Sequence, residues 1–279
     1  GTSLCHYGIH TSAHQCSFQQ QLTPTPRSAD SSKRSVALSS YSPQVFPSMS
    51  SPTFSIHDRV AALRQWMRTH QLNAFIIPSG DPHNSEYPAA HWKCREWVTG
   101  FDGSAGTAVV TLHHAALWTD SRYFLQAEQQ LVETPFTLMR DGESDTPDLT
   151  EWLRNILASE TATSLEKGGK IGFCAETCGL DFYQSLTETF EPDQLVSTAD
   201  PFCEIWPDRP ALPHSPLYRQ PEKYVSQSAR EKLAAFCSAQ EENEKETYLV
   251  VSELAEIAWL LNLRASDVDY NPVFMAYLV

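Results

Sequence analysis

No run of eighteen or more apolar residues occurs in this chain, which excludes a transmembrane helix. Basic residues are also scarce: 20 Lys and Arg stand against 34 Asp and Glu, for a net charge of −14. That balance argues against a general nucleic-acid binder, because phosphate contacts need a basic face. H-E-x-x-H is absent, and residue order supports no Ser-His-Asp or Cys-His arrangement. The cysteines form no tight framework. They number seven, at irregular spacing, which fits free thiols in a reducing compartment. Cys174 and Cys178 are four apart, not the two-residue gap of a zinc knuckle. Both read as small packing residues, since the paired ligands that zinc needs are missing.

What is present suits a globular protein. The 279 residues, 41% of them apolar, allow one large or two ordinary domains with ample core. Residues 1–54 differ from the rest. They are rich in Ser, Thr, Gln and Pro, with Arg27, Lys33 and Arg34 against the single acid Asp30. A basic, acid-poor leader can be an organelle transit peptide. It can also be an unstructured leader, or translated upstream sequence ahead of a true start at Met49. Disorder is expected in each case.

From Ser55 the pattern becomes regular. Ser55 and Asp58 form a capping-box variant, and Ile56, Val60, Leu63 and Met67 mark one helical face to about His70. Ala74–Ile77 reads as a buried strand ended by Pro78 and Gly80. Asp81 to Trp97 lacks a clear period and reads as an ordered loop with a short helix. Val109, Val110 and Leu112, then Ala115–Trp118, flank His113 and His114 and predict a hairpin. Asp120 suits a helix N-cap, with Tyr123, Phe124, Ala127 and Leu131 giving the following helix its buried face. Arg122 would then lie in the first turn, where the helix dipole disfavours a cation. A carboxylate partner or a bound peptide is needed to justify it.

Further on, Phe136–Met139 is an expected strand. Thr146 and Pro147 make an N-cap and first-turn pair for a helix whose stripe is Leu149, Trp152, Leu153, Ile156 and Leu157. Glu166–Lys170 reads as a turn into the strand Ile171–Phe173, followed by helix Leu180–Leu186 and strand Leu195–Val196. Six prolines between Pro201 and Pro221 predict a stiff, extended linker. After it, Ala229–Ala239, Tyr248–Val251 and Glu253–Asn262 repeat the helix–strand order of Arg59–Ile77. Residues 238–247 are acidic and short of apolar positions.

Two segments invite a chemical reading. Gly100, Gly103 and Gly106 give a G-x-x-G-x-x-G spacing. It is weak as a phosphate loop, because no Gly-Lys-Ser/Thr follows and the run enters a strand. A tight turn needing positive φ and close backbone approach is the better reading. Asp81, His83 and Glu86 could form a metal site or an acid–base pair, yet ligands from one loop make no closed site. His83 more often serves as a polar contact or cap.

Four stretches taken together resemble a known family. GFDGSAGT (Gly100–Thr107), WTDSRYFLQAE (from Trp118), EIWPDRP (Glu204–Pro210) and EIAWLLNLRASDVDYNPVF (Glu256–Phe274) resemble the eukaryotic cytosolic type of Xaa-Pro aminopeptidase, or aminopeptidase P, collinearly from about Ser55 to Val279. Two departures stand out: Ala255 replaces a usual acid before Glu-Ile-Ala-Trp, and Ala265 a usual glycine after Leu-Arg.

The resemblance implies an α/β fold. A creatinase/prolidase N-terminal-like domain, with a mixed sheet flanked by helices, is followed by the start of a second similar domain. The expected division is a leader (1–54), domain I (55–200), a proline-rich linker (201–221) and a truncated domain II (222–279). The chain starts at Gly1 and reads as a fragment at both ends. The resemblance also implies a metallo-exopeptidase acting on peptides with proline second, through a metal-activated hydroxide. Its two Mn2+ would be held by two Asp, one His and two Glu in a C-terminal domain outside this chain. No metal ligand and no catalytic residue therefore carry over. The one substrate contact that does is Arg122, whose guanidinium can bind carbonyls or a carboxylate; an ion pair with Asp120 or Asp102 is the alternative. Implied too are a homodimer formed through the absent domain, a cytoplasmic location (mitochondrion or plastid if residues 1–48 target it), and no nucleic-acid or membrane partner. The rival reading is a non-catalytic peptide- or histone-binding module of creatinase type.

Overall fold

The computed structural model describes residues 9–10, 54–160, 169–238, 248 and 250–279. The expected leader, apart from Ile9, His10 and Phe54, lies outside the described residues. So do 161–168, which include most of the Glu166–Lys170 turn, and nearly all of the acidic stretch 238–247.

The first strand, β1 (Ile9–His10), pairs antiparallel with the last, β10 (Tyr277–Leu278). Helix α1 (Ile56–Thr69) begins with the capping box expected at Ser55 and Asp58. The Ser55 hydroxyl accepts the Asp58 N–H, and the Asp58 carboxylate accepts the Ser55 N–H. The main body alternates after this helix. It runs β2 (Ala74–Pro78), α2 (Cys94–Thr99), β3 (Thr107–Thr111), β4 (Ala115–Thr119), α3 (Phe124–Gln130) and β5 (Thr137–Arg140). It continues through α4 (Leu149–Glu160), β6 (Ile171–Cys174), α5 (Leu180–Thr187), β7 (Leu195–Thr198) and α6 (Phe202–Ile205).

Six strands form one mixed sheet in the order β5-β4-β3-β2-β6-β7. Only β3 runs against the others: β2–β3 and β3–β4 are antiparallel, and the remaining three pairings are parallel. The expected hairpin is β3–β4. Side chains alternate between two cores, as strand geometry requires. Phe75, Ile77, Ala108, Val110, Ala115 and Leu117 face Leu63, Met67, Val98 and Phe202. Ala74, Ile76, Val109, Ala116 and Trp118 face Leu153, Leu157 and Leu186. The sheet is buried on both sides by helices, which is why its strands read as nearly continuous apolar runs.

Three local expectations need correction. Asp120 does not cap α3. That helix starts four residues later, after Tyr123, with no side-chain cap, because the Asp120 carboxylate is taken by Arg122. Nor do Thr146 and Pro147 start α4. Asp148 does so, its Oδ1 accepting the Glu151 N–H at 2.7 Å. The proline-rich stretch is not extended throughout. Phe202–Ile205 is helical, and Phe202 belongs to the first core.

Pro201–Pro210 is fastened to the main body. Arg209 forms a buried ion pair with Asp200 at 2.7 Å and donates to the His91 carbonyl at 3.0 Å, while His91 Nδ1 lies 2.7 Å from the Pro210 carbonyl. Beyond it, β8 (Tyr218–Arg219) pairs with β9 (Leu263–Arg264). Helices α7 (Ala229–Ser238) and α8 (Leu254–Leu261) follow the expected order. Of the strand expected between them at Tyr248–Val251, Leu249 lies outside the described residues, and Val251 makes an antiparallel bridge to Leu278. Their core of Leu254, Ile257, Leu260, Val273 and Phe274 also takes in Ala89 of the main body. The two departures noted above cost the fold little. Glu253 caps α8 by accepting the Glu256 N–H, so the cap survives Ala255. Ala265 is buried outside the left-handed region, which Asn262 occupies instead at φ 52°.

Candidate functional site

Where the chain turns from the β3 side of β2 to the β6 side, the sheet has a topological switch point. In open α/β sheets, ligands bind beyond the carboxyl ends of the strands at such a point. An open cleft of about 530 Å3 lies there. The turn after β2 (Ser79, Gly80), Glu86, the Ser104–Thr107 end of the glycine turn, Arg122, Thr177 and Gly179 of the β6–α5 turn, and the first residues of α5 line it.

The glycines shape one wall. Gly100 ends α2 at φ 77°, the one of the three that needs the left-handed region. Gly106 is required for a different reason: a Cβ there would lie 2.8 Å from the Trp118 carbonyl oxygen. The turn is tied down by the Thr119 hydroxyl, which donates to the Ala105 carbonyl at 2.7 Å, and by the Ser79 hydroxyl, which donates to Gly106 at 2.5 Å. Arg95, buried in α2, donates to Ser79 Oγ and to the Phe101 and Gly103 carbonyls.

Arg122 stands at the mouth, exposed. Nε and Nη2 grip the two oxygens of Asp120 at 2.9 and 2.8 Å, and the guanidinium sits over the Tyr123 ring at 5.2 Å. The hydrogen bond to Asp120, then its charge, raise the Arg122 pKa further, and the same bond holds the Asp120 carboxyl below its usual range. The ion pair expected as an alternative is thus present with Asp120. Asp102 is engaged elsewhere, accepting from Gln126 and Gln130 at 2.6 and 2.7 Å. Arg122 lies just before α3 and not in its first turn, and the Asp120 carboxylate is the partner that offsets the unfavourable end of the helix dipole.

Asp81, His83 and Glu86 do not converge. Asp81 is buried and closes its own loop by accepting the N–H groups of His83 and Ser85, each at 2.9 Å. His83 turns away, stacks on Tyr277 and contacts the Ser252 carbonyl at 2.9 Å. Glu86 alone reaches the cleft. Among the described residues, no three His, Cys, Asp or Glu side chains could hold a metal ion. They do not supply the donor set of a dinuclear centre. Cys174 is buried and Cys178 half-buried, and burial pushes both thiols up, Cys178 to about 11. They act as small packing residues. Ser79, Arg95 and the Thr177 turn escaped sequence reasoning. The available signal was a single arginine between Cys94 and the apolar Trp97–Val98.

Comparison with known proteins agrees with this architecture. A creatinase/prolidase N-terminal domain model matches residues 59–205, and a second model of the same description matches 208–279. The chain belongs to the creatinase/prolidase N-terminal domain family. Over 231 residues it is 40% identical to the probable Xaa-Pro aminopeptidase P of Laccaria bicolor, covering 81% of this chain and 34% of that protein. Over 223 residues it is 39% identical to Xaa-Pro aminopeptidase 2 of Homo sapiens, covering 78% and 32%. The chain spans about a third of the length of these curated relatives. Among solved structures, the X-prolyl aminopeptidase of Caenorhabditis elegans, a cytosolic enzyme with a di-nuclear active site, superposes with a TM-score of 0.69 at 29% identity, over 81% of this chain and 37% of that one. No helix among the described residues is long and apolar enough to cross a membrane.

Proposed function

We propose that this chain is the N-terminal part of a Xaa-Pro aminopeptidase, a cytoplasmic exopeptidase that removes the first residue of peptides whose second residue is proline. The observation that supports it most is the collinear match, near 40% identity over about four fifths of the chain, to Xaa-Pro aminopeptidases. Proline forms a tertiary amide with no N–H, a bond that needs a dedicated site. In this reading the metals, two Mn2+, and the homodimer contact belong to sequence outside these residues. The chain contributes the wall of the substrate entrance, with Arg122 offering its remaining donors to the peptide across the cleft.

The test is made on the longer protein that carries this chain. With Mn2+ and an Arg-Pro-Pro peptide, it should release free arginine, and a chelator should abolish the release. Tight peptide binding with no cleavage would overturn the enzymatic reading in favour of a non-catalytic peptide-binding module.

A further inference from the structure

We propose that Arg95 is the positioning residue of the cleft: it holds the Gly100–Thr107 turn in place and, through Ser104 and Tyr123, sets where Arg122 stands. The inference rests on the peptide-binding reading above.

Arg95 is 6% exposed. Nε donates to Ser79 Oγ at 2.8 Å, Nη1 to the Phe101 carbonyl at 2.9 Å, and Nη2 to the Gly103 carbonyl. Its guanidinium also sits 4.9 Å from the Phe101 ring centre. One planar fork thus joins the end of β2 to two carbonyls of the glycine turn. Lysine, a point charge with no fixed fork, cannot reproduce that geometry.

Among the described residues Arg95 forms no ion pair. Burial brings its pKa down to about 10, so it remains charged at neutral pH. A buried cation with only neutral acceptors is a costly way to fill space, and an apolar side chain would pack there without desolvating a charge. An apolar side chain would, however, leave the Phe101 and Gly103 carbonyls without their donor, so what the buried arginine contributes is the hydrogen bonding that fixes this turn. What the guanidinium adds is placement.

That placement passes outward along a short chain of contacts. Next to the held Gly103, Ser104 Oγ lies 2.6 Å from the Tyr123 hydroxyl, and the Tyr123 ring carries the Arg122 guanidinium. Ser79, which Arg95 binds, and Ser104, next to the Gly103 that it holds, both line the cleft.

The experiment is chemical rescue in the longer protein. Arg95→Ala should raise KM for a Xaa-Pro-Xaa peptide about tenfold while kcat changes little, since a small misplacement of a binding wall costs affinity for substrate. Millimolar guanidinium chloride should restore KM in the variant. The same concentration of sodium chloride should not, and the wild-type protein should not respond to guanidinium. An unchanged KM, or a loss that guanidinium fails to restore in folded protein, overturns the proposal. If Arg95→Ala does not fold, Arg95→Lys decides: KM should rise about threefold with the kcat of the wild type, and a wild-type KM would sink the idea. If the wild-type protein releases no N-terminal residue at all, the aminopeptidase reading has failed, and calorimetric peptide binding replaces KM as the readout. Equal peptide affinity in wild type and variant, or no binding to either, then overturns the role of Arg95 as well.

Discussion

Arg122 grips Asp120, two residues before it, with Nε and Nη2 on separate carboxylate oxygens, at 2.9 and 2.8 Å. The pair is exposed, so water screens it and its share of stability is small. Its effect is to aim the guanidinium at the cleft. Arg122→Ala in the longer protein should leave the melting temperature nearly unchanged and lower kcat/KM on a Xaa-Pro-Xaa peptide about ten- to a hundredfold, the loss of one charged hydrogen bond to substrate. Unchanged kinetics would remove Arg122 from substrate binding. A large fall in melting temperature would make the pair structural.

The chain by itself should not hydrolyse peptides. Among its described residues no group of side chains could hold a metal ion. Incubated with manganese and an Arg-Pro-Pro peptide, it should release no more arginine than a boiled control. Chelator-sensitive release would show that a metal site exists in it after all.

Asp200 and Arg209 should be among the most sensitive positions for stability. Their side chains are 10% and 7% exposed and meet at 2.7 Å. Asp200→Ala would leave a buried guanidinium without its partner, a loss of about 3–5 kcal/mol. It would also free the Phe202 N–H, which Asp200 Oδ1 accepts at 2.9 Å. The shift of the urea midpoint measures the cost, and a shift below that of a typical surface substitution would contradict it.

Acid should weaken α4 through Asp148. The Glu151 N–H and then the Thr150 hydroxyl, both bound to its carboxylate, lower its pKa from 3.8. Because the folded value lies below the unfolded one, the contribution is fully present above about pH 4 and is lost as pH falls through the folded value. Asp148→Ala should cost about 1 kcal/mol near neutrality, the usual penalty for removing such a cap. The gap in melting temperature between variant and wild type should close as pH falls through the folded value. A gap independent of pH would mean that the charge of Asp148 plays no part.

Gly106→Ala should destabilise more than Gly142→Ala. A methyl at Gly106 meets a backbone oxygen at 2.8 Å, whereas one at Gly142 meets nothing within 4 Å and bears only the strain of φ 88°. The expected losses are about 1–3 kcal/mol for the first and about 1 kcal/mol for the second. Denaturant midpoints in the reverse order would refute the reading of the turn.

The sequence exposed local features more readily than distant ones. The Ser55–Asp58 box and the β3–β4 hairpin are contacts between near neighbours, and each showed in residue type and spacing. The start of α3 was misplaced because two kinds of donor compete for one acceptor. Asp120 could have capped a helix, but a guanidinium two residues on binds it more strongly than a lone backbone N–H. Asp148 displaced Thr146 as a cap for a related reason: a carboxylate two positions later is just as able to accept. The cleft was illegible because Ser79 and Thr177, about a hundred residues apart, meet only once the sheet has formed. Arg95 was equally hidden, since nothing in its neighbours' identities reveals that three acceptors await it.

The central strand β2 has one early and one late neighbour. It pairs with β3 within the first forty residues or so after it, but its other edge pairs with β6, beginning beside the contact of Lys170 N–H with Asn73 Oδ1, 97 positions apart. During synthesis at roughly 5–20 residues per second, that edge, with the sequence Ala-Phe-Ile-Ile, would wait about 5–20 s for its partner to leave the ribosome. An unpaired apolar edge is a template for wrong pairing. Translation speed between residues 78 and 171, more than the final stability of the sheet, should therefore govern how much of this protein is recovered soluble from a cell.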